Sequence, residues 1–174
     1  MNIHPKPITG RKIRFALVGC GSIANRHFSA LKQHGDSAEL VGVCDIDPVA
    51  LESAVQKTGA KPYTCISDML DDSNIDIVVI ATPSGIHAEQ AIESAAKGCH
   101  VMTEKPMATR WHDGLRMVKA CDDANVHLFV VKQNRKNATL QLLKKAIDQG
   151  RFGKIYMVNI NVFWTFLSHK SKIN

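Results

Sequence analysis

Four short segments of this 174-residue chain carry residues able to do chemistry, and each stands at the end of an apolar run. The first is Gly19-Cys20-Gly21-Ser22-Ile23-Ala24, a G-x-G-x-x-A between Ile13–Val18 and an amphipathic stretch. A glycine at 19 permits a tight turn, a glycine at 21 lets the backbone approach a pyrophosphate, and a small residue at 24 keeps a helix close to a sheet. A helix opening at Ser22 and Ile23 turns unpaired N–H groups and a positive dipole end toward phosphates. Asp45, 24 residues beyond Gly21, closes a second apolar run, where a carboxylate can accept from both ribose hydroxyls. It would repel a 2′-phosphate, so the pattern favours NAD over NADP. The plainer alternative is a glycine turn with a helix-capping aspartate, and Asp47 is the neighbouring candidate for either role.

The second segment, Ala81-Thr82-Pro83-Ser84-Gly85-Ile86-His87, ends the most apolar run, Ile75 to Ala81. In an open parallel sheet, ligands bind beyond the carboxyl ends of the strands near the switch point. Thr82, Pro83 and Ser84 are therefore expected along the nicotinamide ribose, with His87 completing this group of cofactor contacts; Ser84 could equally cap the next helix. The third segment is Glu104-Lys105-Pro106. Proline restricts the residue before it to extended backbone, which aims Lys105 over the sheet edge toward the cofactor; a solvated Glu–Lys surface pair is the competing reading. The fourth, Lys132-Gln133-Asn134-Arg135, is polar and cationic and suits an anionic ligand, or is simply solvated.

The elements that must bring these segments together follow from period. Short apolar runs (13–18, 40–44, 63–66, 75–81, 99–103, 126–131) alternate with helix-like stretches (22–32, 49–57, 86–97, 109–124, 138–149), with Pro48 at one helix start and Gly98 and Gly150 beyond two helix ends. Such alternation predicts parallel strands joined by right-handed crossovers with helices on both faces. The fold class is α/β, a doubly wound parallel sheet of Rossmann type over 11–150, after a leader at 1–10. Beyond Gly150, Tyr156, Val158, Ile160, Val162 and Trp164 alternate with Met157, Asn159 and Asn161, a period-2 strand of antiparallel type at 151–165. Residues 166–174 (FLSHKSKIN) show no further pattern.

Composition narrows the class. At 45% apolar and 22% charged the chain is suited to a folded core, and its apolar runs are too short to cross a bilayer. No apolar stretch near the N-terminus reads as a secretory signal, so the cytoplasm is expected. The five cysteines lack metal-ligand spacing and read as reduced thiols; no metal site is expected. The net charge of +6 divides as +2, −2 and +6 over residues 1–60, 61–120 and 121–174. No nucleic-acid signature accompanies the basic last third, which reads as the start of a site for an acidic small molecule or as a part whose compensating acids are missing from the chain.

Taken together, GCGSIA, CDID, ATPSGIH, EKPMA and KQNR, in this order and spacing, resemble the N-terminal half of the glucose-fructose oxidoreductase / inositol dehydrogenase (Gfo/Idh/MocA) family over about residues 11 to 165. The stretch from His100 to Trp164 is most similar to a bacterial branch that oxidises the sugar C3 hydroxyl of UDP-N-acetylglucosaminuronate in surface-polysaccharide (lipopolysaccharide) synthesis. The resemblance implies NAD as cofactor, Lys105 as the active-site lysine contacting both cofactor and substrate, Glu104 and Gln133 as cofactor contacts, and Asn134 and Arg135 at the sugar nucleotide. Family members are expected to be homo-oligomers whose second half, an open antiparallel sheet, supplies a catalytic histidine. Only the first strand of that sheet is expected here, so the resemblance implies a shortened chain with an aberrant tail, inactive or impaired in turnover; the alternatives are a non-catalytic NAD-binding module and a family dehydrogenase for another sugar or cyclitol. His169 has no sheet to position it for that missing role.

Overall fold

The short runs do become strands and the amphipathic runs helices. The structure, a computed structural model, describes residues 7–72 and 74–163, and these divide into two compact units after Lys132. In the first unit, β1 (Ile13–Val18) leads to α1 (Ala24–Gln33), β2 (Ala38–Cys44) to α2 (Pro48–Thr58), and β3 (Lys61–Tyr63) to the short α3 (Ile66–Asp71). Then β4 (Ile77–Ile80) leads through a 3-10 turn to α4 (His87–Ala96), β5 (His100–Thr103) to α5 (Trp111–Asp123), and β6 (Leu128–Val130) completes the sheet. All pairings are parallel and the strand order is β3-β2-β1-β4-β5-β6. The order reverses between β1 and β4, which is where a doubly wound sheet opens a crevice at its carboxyl edge.

Side chains alternate across each strand, so a central strand with helices on both faces is apolar at every position. Ile77, Val78, Val79 and Ile80 are all buried. Val78 and Ile80 join Val101 and Met117 on the face covered by α3, α4 and α5, while Leu17, Val43 and Val79 pack under α1 and α2 with Ala24 and Leu51. Ala24 is fully buried, so α1 begins in close contact with the sheet, as the third position of the glycine motif requires.

Two expectations fail. The third strand ends at Tyr63, and Ile66, read from sequence as its last residue, instead opens α3. That helix is only six residues long, too short to display a helical period, and buries Met69 and Leu70. In the second unit, a 3-10 turn (Gln133–Lys136) precedes α6 (Ala138–Asp148), capped by the Asn137 side chain accepting from the Thr139 N–H. After α6, residues 154–163 form no strand, although Tyr156 to Val162 alternate as a strand should. A strand needs a neighbour to take up its N–H and C=O groups, and none pairs with this segment among the described residues. Trp164 and the tail at 166–174 lie outside the described residues.

Candidate functional site

The carboxyl ends of β1, β2, β4 and β5 are laced into one rim. The N–H of Gly19 donates to Cys44 O, that of Ala81 to Val18 O, and that of Glu104 to Ile80 O, at 2.8, 2.8 and 2.9 Å. Three of the four segments singled out in the sequence therefore open side by side. Gly19 has φ +93°, and a Cβ there would lie 2.7 Å from the backbone C and O of Ala81 and from the N of Thr82. The first loop thus presses on the second, and only glycine fits the contact. Gly21 is different. Its φ is not left-handed and a Cβ would meet nothing within 4 Å, so protein packing does not require glycine there. Open space over an exposed backbone at a helix start is what a pyrophosphate would occupy. Helix α1 also has no side-chain cap and no acidic residue in its first turn, which leaves its N-terminus with Ser22 and Ile23 suited to an anion. The residues present fit a dinucleotide.

Asp45 and Asp47 separate cleanly. Asp47 caps α2, accepting from the Val49 N–H at 2.9 Å. Asp45 accepts from the Cys20 N–H at 2.6 Å through Oδ2 and from the Asp47 N–H at 2.8 Å through Oδ1. Its carboxylate therefore fastens the glycine loop to the end of β2 while remaining half-buried at the rim.

In the second loop, Thr82 Oγ1 donates to Gln90 Oε1 at 2.6 Å, Pro83 is exposed and Ser84 half-buried. Ser84 caps neither the 3-10 turn nor α4, so the capping alternative is not realised. His87 departs from expectation most. It is 1% exposed, with Nε2 2.8 Å from Thr82 O and Nδ1 3.1 Å from Pro106 O and 3.2 Å from Thr103 Oγ1. Both ring nitrogens face protein groups, so His87 braces the loops after β4 and β5 and does not itself reach a ligand.

Glu104 and Lys105 do not form a surface pair. Glu104 is 8% exposed, and its Oε1 lies 2.9 Å from Nε2 of His27 on α1, while Oε2 accepts the Lys105 N–H at 3.2 Å. Lys105 is exposed, and among the described residues no carboxylate lies within ion-pair distance of its ammonium. The Lys105–Pro106 peptide is cis. Sequence reasoning missed His27; its only signal was a histidine one turn into the helix that follows the glycine loop. Gln133, Asn134 and Arg135 are exposed on the 3-10 turn that opens the second unit.

The thiols sort by environment. Burial pushes Cys20 up to about 12 and Cys44, Cys99 and Cys121 up to about 11, whereas exposed Cys65 is lowered by hydrogen bonding to Ser67. Among the described residues no three His, Cys, Asp or Glu side chains converge on a metal position, and no helix is long and apolar enough to cross a membrane.

A doubly wound sheet with a glycine loop at its switch point and an acidic residue ending β2 defines a nucleotide-binding domain of Rossmann type. Residues 13–132 match the model of the oxidoreductase family Gfo/Idh/MocA, NAD-binding Rossmann fold, and the chain belongs to that family. It is similar to the WlbA dehydrogenase of Chromobacterium violaceum, solved in complex with NADH and UDP-GlcNAcA, at 65% identity and TM-score 0.91 over 94% of this chain and 48% of that one. The WlbA dehydrogenase of Bordetella pertussis, in complex with the same two molecules, gives 66% identity and TM-score 0.89 over 92% of this chain and 48% of that one. D-apiose dehydrogenase of Paraburkholderia graminis is 31% identical over 94% of this chain and 42% of its own length. The chain thus spans about half the length of the relatives it matches.

Proposed function

We propose that this chain is the NAD-binding part of a dehydrogenase that oxidises the C3 hydroxyl of a UDP-N-acetylglucosaminuronate. The observation that carries the reading is 65–66% identity to two dehydrogenases solved with NADH and UDP-GlcNAcA, joined to a rim in which Lys105 follows β5 on the same carboxyl edge of the sheet as the glycine loop. Other sugar dehydrogenases of the family are similar at about half that identity or less.

In this reading the uncapped start of α1, with Gly19, Gly21, Ser22 and Ile23, receives the pyrophosphate, and Asp45 receives the adenosine ribose. Thr82, Pro83 and Ser84 line the nicotinamide ribose. Bound NAD supplies a hydride acceptor. Hydride departs an alcohol carbon as its oxygen loses a proton, so a base must stand about 3 Å from that oxygen. Lys105, exposed at the rim and free of a carboxylate partner among the described residues, is the side chain assigned to hold or take that proton. Gln133 is assigned to the cofactor and Asn134 and Arg135 to the anionic sugar nucleotide, where a guanidinium can bond two oxygens at once. A role in lipopolysaccharide synthesis, a cytoplasmic location and homo-oligomeric assembly belong to the same proposal.

The test is NADH formation at 340 nm with NAD and UDP-GlcNAcA, for the chain and its Lys105→Ala variant, beside direct NADH titration of both. The proposal expects both proteins to bind NADH, and the turnover of the chain, reduced as it is without the second half of the family's fold, to be lost in the variant. Turnover undiminished in Lys105→Ala would remove the lysine from the chemistry. Equal rates with unrelated cyclitols would favour another family substrate.

A further inference from the structure

Glu104 and His27 lie 77 positions apart yet share a hydrogen bond at 2.9 Å, with side chains 10% and 14% exposed. A carboxylate so sheltered needs donors. It has two: Nε2 of His27 at Oε1, and the backbone N–H of Lys105 at Oε2. The Glu104 backbone is itself fixed, its N–H donating to Ile80 O at 2.9 Å. The carboxylate is therefore a rigid link between α1 and the amide of Lys105. His27 stands three residues past Ala24, one turn into the helix whose uncapped N-terminus is assigned to the pyrophosphate in the proposed function.

We infer that His27 is a positioning residue: through Glu104 it fixes the backbone from which Lys105 projects, and it carries movements of α1 to that lysine. The inference rests on the assignment of Lys105 to the chemistry, but the link itself is made by protein groups alone. His27 touches neither reacting group, so it acts on what Glu104 holds. Without the imidazole, the Glu104 carboxylate loses its outer donor and turns toward water, and the Lys105 N–H loses its acceptor.

The decisive experiment is residue-resolved hydrogen exchange on the full chain, without and with NADH, for wild type, His27→Ala and His27→Gln. Glutamine is the conservative variant, because its amide nitrogen reaches the position of Nε2. In the cofactor-free protein, His27→Ala speeds exchange of the Lys105 amide about 10-fold, the loss of one charge-assisted hydrogen bond, while His27→Gln stays within about 3-fold of wild type. Saturating NADH slows Lys105 exchange in wild type and His27→Gln and not in His27→Ala. Unchanged Lys105 exchange in folded His27→Ala overturns the inference. So does a His27→Gln as fast as His27→Ala, which would reduce the imidazole to packing. Should wild type fail to bind NADH, the functional reading fails, while the cofactor-free comparison still decides the role of His27.

Discussion

The carboxylate of Asp45 accepts the backbone N–H of Cys20 at 2.6 Å, tying the end of β2 to the middle of the glycine loop. One side chain thus has two tasks in the proposed site: shaping the loop and receiving the ribose. Asp45→Ala should cost about 1.5–3 kcal/mol through the lost charge-assisted hydrogen bond. It should also weaken NADH while narrowing the preference over NADPH. Melting curves and paired titrations check this; an unchanged preference would transfer the ribose role to Asp47, which already caps α2.

The two motif glycines should fail in opposite ways. Gly19→Ala forces a Cβ to 2.7 Å from the Ala81 carbonyl at a left-handed φ, and should cost about 3 kcal/mol or more. Gly21→Ala meets no protein atom within 4 Å and should leave the melting midpoint nearly unchanged while weakening NADH. A Gly21→Ala protein that binds NADH like wild type would mean that the space above residue 21 is not the phosphate position.

Thiol labelling of the folded protein should select one cysteine. Cys65 is exposed and its thiol lies below the ordinary 9.0, whereas Cys20, raised to about 12, and Cys44, Cys99 and Cys121, raised to about 11, are buried. The thiolate is the reactive form. Iodoacetamide near pH 8 followed by peptide mass spectrometry should therefore find Cys65 modified well before the other four. Early labelling of Cys20 would show that the glycine loop opens in solution.

Acid should destabilise the first unit in two stages. The His100 Nδ1 accepts the His127 N–H at 3.0 Å, and burial followed by the neighbouring His127 lowers its pKa from 6.5. The unfolded chain then binds the proton first, so this contribution is complete above about pH 6.5 and lost as pH falls below it. The Arg11 guanidinium, bonded at 2.6 and 2.8 Å, holds Asp76 below 3.8, so a second loss begins only beneath that value. Melting midpoints should fall between pH 7 and 5 in wild type and be flatter in His100→Asn, which keeps an acceptor for the His127 N–H without the titration. An equally steep fall in His100→Asn would place the sensitivity elsewhere.

Much of this was legible in the sequence for a physical reason. Strand β4 announces itself because a central parallel strand is apolar on both faces, and the glycine loop because Gly19 answers to a backbone contact that local spacing encodes. What escaped was long-range or cooperative. The His27–Glu104 bond joins residues 77 positions apart, and nothing local marks it. His87 looked like a ligand contact because it ends a rim segment; only packing shows its ring turned inward between Thr82 and Pro106. The alternation from Tyr156 to Val162 is genuine, but period fixes only which faces a strand would have, and pairing requires a neighbour.

Calorimetric titration of NADH into the folded chain, with NADPH as comparator, tests the central claim most directly. A single saturable site with a dissociation constant below about 1 mM, and weaker binding of NADPH, is the result this account predicts. A folded protein that takes up neither nucleotide at millimolar concentration, or that takes up NADPH in preference, would contradict it.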